Sequence, residues 1–184
     1  MAKYPEQWSD LLREQMGKES DRAIVVLCAA MLETALETIL KARFVPSATA
    51  EDSLLEGVYA PLSNFSAKID LAHRIGLIST KFARDLHIIR RVRNDFAHNV
   101  QSCSFGNAAT HNRVAELARS SGIIEHFPEV RKAFVEGTRG DFLMIISWML
   151  WYLGELAGGV SSIQAVEPEW GYTEPRNTEK KEDG

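Results

Sequence analysis

The fold is decided by the stretch IVVLCAAML at residues 24–32, which is apolar at every position. A helix that is hydrophobic all round is usually the central helix of a bundle, because a surface helix keeps polar residues on one face. Helical spacing continues to about Phe44, and Pro46 ends it. The sequence therefore predicts a long central helix capped by Asp21.

The rest of the chain also follows helical periodicity, and no strand-like alternation is sustained over a useful length. Helices are predicted after Pro5, over 65–75 and 79–98, and near 111–120 and 128–137, with a loop over 99–112. We therefore predict an all-α, single-domain helical bundle with a long central helix and an apolar C-terminal helix.

The C-terminal helix carries the apolar run FLMIISWMLWYL at 142–153. This run is shorter than the roughly 20 apolar residues that a membrane span needs, so we expect a buried core or interface helix and no membrane contact. Trp148, Trp151 and Tyr152 lie at offsets of three and four and form one aromatic flank. Such a flank suits a dimer contact or the packing of another helix.

The composition indicates one domain in a reducing compartment. A chain of 184 residues with 45% hydrophobic content can bury one sizeable core, and its net charge of −4 argues against a general nucleic-acid coat protein. The cysteines show no zinc or disulfide spacing, and no signal core precedes the first helix. We expect a cytoplasmic domain over 1–164 (core 18–160), a flexible tail over 165–184, and no metal or cofactor.

One charge interrupts the apolar stripe of the helix predicted over 79–98. The stripe consists of Phe82, Leu86, Ile89, Arg93, Phe96 and Val100. Because an unpaired buried guanidinium is costly, Arg93 must face a carboxylate or line a polar cleft. Glu33 and Glu37 interrupt the central helix one turn apart, so we predict that Glu33, or as second choice Glu37, is the counter-ion of Arg93.

Next to this stripe, Asn94 and His98 share a helix face with Arg90. His98 either caps the terminal carbonyls of its own helix, where a cation is favoured, or shares a pocket with Arg93. The residues alone leave both interpretations open.

Several segments of the chain resemble the mannitol operon repressor family. They are MLETAL at 31–36, APLSNFSAKI at 60–69, GLI at 76–78 and DLHIIRRVRNDFAH at 85–98. The order and spacing fit the family's pattern over roughly residues 20–105, about half of the chain. The resemblance implies an all-α fold and a cytoplasmic bacterial regulator.

The resemblance does not by itself imply that the chain reads DNA. Residues 66–98 superficially suit a helix-turn-helix, but the second helix buries a regular stripe, so its middle is unavailable to a major groove. We therefore expect a homodimeric protein–protein interaction module that acts through an unidentified protein partner. Direct DNA binding is the weaker alternative.

A shorter motif, Arg93-Asn94 followed by three residues and His98, is similar to the signature of HEPN-type helical ribonucleases. That resemblance implies a metal-independent endoribonuclease in which Arg93 holds the phosphate, His98 transfers a proton and Asn94 orients one of them. The same helix carries a basic face formed by Arg84, Arg90 and Arg91. This face is either a solvated surface with salt bridges or an approach field for RNA.

Overall fold

Every regular element is a helix in the part of the chain that the computed structural model describes, namely Leu12, residues 18–98 and residues 104–166. The helices are α1 (Asp21–Arg43), α2 (Phe65–Arg74), α3 (Thr80–His98), α4 (Ala108–Ser121), α5 (Ile123–His126), α6 (Pro128–Arg131) and α7 (Thr138–Gly159). The predicted all-α bundle is confirmed. Apart from Leu12, which is buried, the helix predicted after Pro5 lies outside the described residues, as does nearly all of the predicted tail.

Helix α1 is the central helix, and it packs against α2, α3 and α7. Its N-cap is Ser20 rather than the predicted Asp21, since Ser20 Oγ accepts a hydrogen bond from the Ala23 amide at 3.2 Å. Asp21 is the first helical residue, and it accepts hydrogen bonds from Arg139 Nη1 and from the Phe105 amide. It thereby ties α1 to α7 and to the segment before α4.

Helices α1 and α7 form the most extensive helix pair of the described fold. Both are long and apolar enough to cross a membrane by length and composition alone. Their inward faces are buried in one hydrophobic core, to which Leu32, Leu36, Phe142 and Ile146 belong. Core helices of helical bundles meet the same length and hydropathy criterion, and α1 and α7 pack in the core in this way.

The polar segments between the helices fix the positions of α2, α3 and α4. Gly76 adopts a φ of 75° at the end of α2, and Ser79 Oγ then accepts from the Phe82 amide at 3.2 Å, as the predicted cap of α3. Helix α4 begins at Ala108, inside the segment predicted as loop, because Asn107 Oδ1 caps it through the Ala109 amide at 2.8 Å.

Candidate functional site

A polar cavity of about 260 Å³ lies between α1, α3 and the start of α2. Its charged side chains are Glu33 from α1 and Arg90 and Arg93 from α3. Its remaining polar residues are Ser63, Asn64, Ser66 and Asn94. We call this space the polar cavity.

The local sequence explains why two arginines reach the same cavity. Arg90 and Arg93 are three residues apart on α3, so they lie on one helix face. The buried residues Ile89, Val92 and Phe96 hold α3 in place against the core. The arginines therefore occupy the border between the core and the opening of the cavity, where both are partly buried.

The counter-ion predicted for Arg93 is instead bound to a lysine. Lys68 is only 4% exposed, and its Nζ lies 3.1 Å from Glu33 Oε1 and 2.9 Å from Glu37 Oε2. Arg93 Nη1 donates to Asn94 Oδ1 at 3.1 Å, and within the described residues no ion pair joins Arg93 to either glutamate. The predicted Arg93 ion pair is thus corrected to a group that we call the Lys68 cluster, made of Lys68, Glu33 and Glu37.

The reason for this correction lies in the sequence of α2. Phe65, Ile69 and Ala72 form the buried stripe of that helix, and Lys68 falls within the same stripe. A buried ammonium needs carboxylate partners, and the two glutamates one turn apart on α1 supply them. The charge inside the apolar stripe of α2 was a sequence signal that marked Lys68 as a second candidate cation beside Arg93.

Within the Lys68 cluster, the pKa values of Lys68 and Glu37 shift in opposite directions. Burial alone would raise the pKa of Glu37, but hydrogen bonds from Lys68 and Lys41 outweigh it and hold the pKa below its usual range. Burial would lower the pKa of Lys68, but hydrogen bonds to Glu37 and Glu33 outweigh it and raise the pKa. Both side chains are therefore charged throughout the neutral pH range.

The three residues of the HEPN-like motif are separated by the geometry of α3. Arg93 and Asn94 both line the polar cavity and bond to each other. His98 is the last residue of α3 and is exposed, and it does not line the polar cavity. The motif thus contributes two residues to the cavity.

The predicted basic face also divides into two parts. Arg84 and Arg91 are both exposed. Arg84 pairs with Asp85 at 3.1 Å, and Arg91 Nε donates to the carbonyl of His87, one turn earlier on the same helix. Arg90 instead lines the polar cavity. Sequence reasoning missed Asp85, which is buried and accepts from Ser120 Oγ at 2.6 Å.

The aromatic flank of α7 packs within the chain. Trp148 stacks on Phe127 with ring centroids 4.7 Å apart and meets Trp151 edge-on at 5.4 Å. Tyr152 packs on Phe82 at 4.9 Å. These contacts bring the flank of α7 together with α3 and with the segment between α5 and α6.

A second cavity of about 210 Å³ opens beside this flank, and it is mostly apolar. Phe82, Ile123, Trp148, Met149 and Tyr152 form its apolar lining. Phe127, which stacks on Trp148, and Tyr152, which lines this cavity, are 43% and 37% exposed. We call these two residues the aromatic surface.

The described residues thus form a helical fold with a polar cavity between α1, α2 and α3 and a partly exposed aromatic surface beside α7. The fold is similar to a chain of the X-ray structure of the MtlR–HPr complex from Escherichia coli, with a TM-score of 0.58 and 15% sequence identity. The match covers 80% of this chain and 99% of that chain. At this identity the likeness concerns the fold.

No protein-family model matches the chain, and no curated protein matches it either. Neither the ribonuclease alternative nor direct DNA binding gains support from these comparisons.

Proposed function

We propose that this chain is a cytoplasmic bacterial regulator of the mannitol operon repressor type, which acts by binding another protein. The observation that carries the proposal is the fold, which extends over nearly the whole length of a chain solved as part of the MtlR–HPr complex. The segments that resemble the repressor family lie in α1, across the start of α2, in the turn between α2 and α3, and in α3. Residues of α1, α3 and the start of α2 line the polar cavity. The proposed partner is a protein of the HPr kind, and the proposed assembly state is a homodimer.

The aromatic surface is the docking region in this proposal. Aromatic side chains are enriched in interface cores because they bury a large area at a small entropic cost. Phe127 and Tyr152 keep more than a third of their surface exposed although both pack against other rings. Their positions are therefore preorganised, so that a partner would bury them without a large loss of side-chain freedom.

Calorimetric titration of the full chain with purified HPr tests the proposal. We expect saturable binding that weakens about thirtyfold in Phe127→Ala and in Tyr152→Ala, which corresponds to the roughly 2 kcal/mol of a hot-spot residue. Tyr59→Ala is the matched control, because Tyr59 is 97% exposed on the loop before α2 and should not change the affinity. Absence of binding by the wild-type chain would contradict the proposed partner class.

Sedimentation of the same variants tests the homodimer and its location. We expect the wild-type chain and all three variants to sediment as dimers. A dimer that dissociates in Phe127→Ala or Tyr152→Ala would assign the aromatic surface to self-association rather than to partner binding.

A further inference from the structure

The arginines of the polar cavity lack the counter-ions that buried arginines ordinarily have. The Nε atom of Arg90 is buried without a hydrogen-bond partner, and no ion pair joins Arg90 to any described residue. Arg93 bonds to the neutral side-chain amide of Asn94. Since desolvated guanidinium groups are normally paired, the two side chains present unused donor capacity to the cavity.

The carboxylate of the polar cavity does not fill this role, because Glu33 is bound to Lys68 at 3.1 Å. Counting the Lys68 cluster together with the two arginines gives three cations against two carboxylates. The region around the cavity therefore carries a surplus of positive charge. An anionic group that enters it meets donors that no protein acceptor has satisfied.

The start of α2 adds further donors on the same cavity. The Ala67 amide donates to Asn64 Oδ1 at 2.9 Å, and the Lys68 amide donates to the Asn64 backbone carbonyl at 3.2 Å. The amides of Phe65 and Ser66, in the first turn of α2, have no intrahelical acceptor, and both residues line the cavity. Backbone amides at a helix start favour oxyanions, and Ser66, which carries a hydroxyl donor, lines the same cavity.

We propose that the polar cavity binds a phosphate group, carried either by inorganic phosphate or by a small phosphate monoester. Arg90 and Arg93 would hold its oxygens through their planar forks, and Ser66 would donate at the other side. The cavity volume of about 260 Å³ lies below the roughly 300–1,000 Å³ of sites for drug-sized ligands, so the ligand is small. This site does not depend on the proposed protein partner.

Titration with inorganic phosphate and with glycerol phosphate, at ionic strength held constant with chloride, tests the site by calorimetry. We expect saturable binding of at least one of these anions, weakened tenfold or more in Arg90→Gln and in Arg93→Gln. Arg91→Gln is the matched control, because Arg91 lies on the same helix but is exposed and does not line the cavity. Tighter binding of the free ion or of the ester identifies which source the site prefers.

No saturable binding of either anion would overturn the proposal, and so would equal affinity in wild type, Arg90→Gln and Arg93→Gln. An equal loss in Arg91→Gln would also overturn it, because it would indicate attraction by the general field of α3. The thermal midpoint of unliganded Arg90→Met separates ligand binding from a structural role. We expect a midpoint at or above that of the wild type, since an apolar side chain replaces a partly buried charge that has no counter-ion among the described residues, whereas a structural arginine would lower it.

Discussion

Two groups of charges meet at Glu33, and they are neutralised to different extents. In the Lys68 cluster the buried ammonium has a carboxylate at 3.1 Å and another at 2.9 Å. In the adjoining polar cavity, Arg90 has a buried nitrogen without an acceptor and Arg93 bonds to a neutral amide. The difference indicates that the first group stabilises the fold and that the second keeps donors that no described residue satisfies.

Lys68→Met should have the largest effect, because it leaves two carboxylates without their buried cation. Breaking a buried pair by removing one partner costs about 3–5 kcal/mol, and the partial exposure of Glu33 and Glu37 places the expected loss near the lower end. Urea denaturation gives the free energy of unfolding that checks this.

Lys132→Met is the control for that variant, since Lys132 pairs with Glu129 on an exposed surface, where an ion pair contributes little. A double variant provides a second check. Glu33→Gln combined with Lys68→Met should lose less unfolding free energy than Lys68→Met alone, because one carboxylate fewer is left without its cation. An unfolding free energy of Lys68→Met within 1 kcal/mol of wild type would contradict a stabilising role for the cluster.

Ser120→Ala should have an intermediate effect, because it removes a hydrogen bond to a buried carboxylate. Ser120 Oγ lies 2.6 Å from Asp85 Oδ2, and Arg84 occupies the other carboxylate oxygen of Asp85. Hydrogen bonds to charged groups contribute about 1.5–3 kcal/mol, and we expect a loss near 1.5 kcal/mol in urea denaturation. Ser121→Ala is the control, because Ser121 Oγ bonds only to uncharged backbone groups, the Ala118 carbonyl at 3.2 Å and the Ile123 amide at 3.5 Å, among the described residues. A loss as large as that of Ser120→Ala would argue against the prediction.

The pH dependence of stability should follow the pKa shifts of the Lys68 cluster. The lowered pKa of Glu37 means that its contribution is present above the unfolded pKa of about 4.3 and is lost as the pH falls through the lower folded value. The raised pKa of Lys68 means that its contribution is present below about pH 10.4 and is lost as the pH rises through the higher folded value. A stability plateau should therefore lie between these limits.

Urea midpoints measured from pH 3 to pH 7 check the acid side of this plateau. Glu37→Gln should flatten the decline below about pH 4.3, whereas Glu129→Gln, on an exposed pair, should leave it unchanged. An acid decline that is identical in wild type and Glu37→Gln would assign the loss of stability to other carboxylates.

The sequence was sufficient to predict the helical class and the Ser79 cap, although it placed the cap of α1 one residue late, at Asp21 instead of Ser20. The all-round apolar stretch at 24–32 predicted the central helix α1, and Ser79 was correctly predicted to cap α3. These features depend on residues close together along the chain. The partner of Glu33 could not be predicted in the same way, because α2 and α3 both pack on α1 and either could supply the cation.

The choice between Lys68 and Arg93 depends on the depth at which each side chain lies. Lys68 is buried in the stripe of α2, whereas Arg93 lies at the border of the core with a cavity in front of it. Helical spacing indicates the face of a residue but not the width of the gap opposite it. The polar cavity forms where the loop before α2 meets α3, so helical periodicity in the sequence could not predict it.

Lys41→Met should have the smallest effect, and it sharpens the comparison because Lys41 shares Glu37 with Lys68. Lys41 Nζ lies 2.9 Å from Glu37 and 2.8 Å from Glu56, distances as short as those of Lys68, but its side chain is 40% exposed. Water already solvates this ammonium, so we expect a loss of about 0.5 kcal/mol or less in urea denaturation, falling further in 1 M salt. The effect of Lys68→Met should change much less with salt, since its pair is buried. Equal losses in Lys41→Met and Lys68→Met would mean that the number of ion pairs, rather than their burial, determines what each lysine contributes.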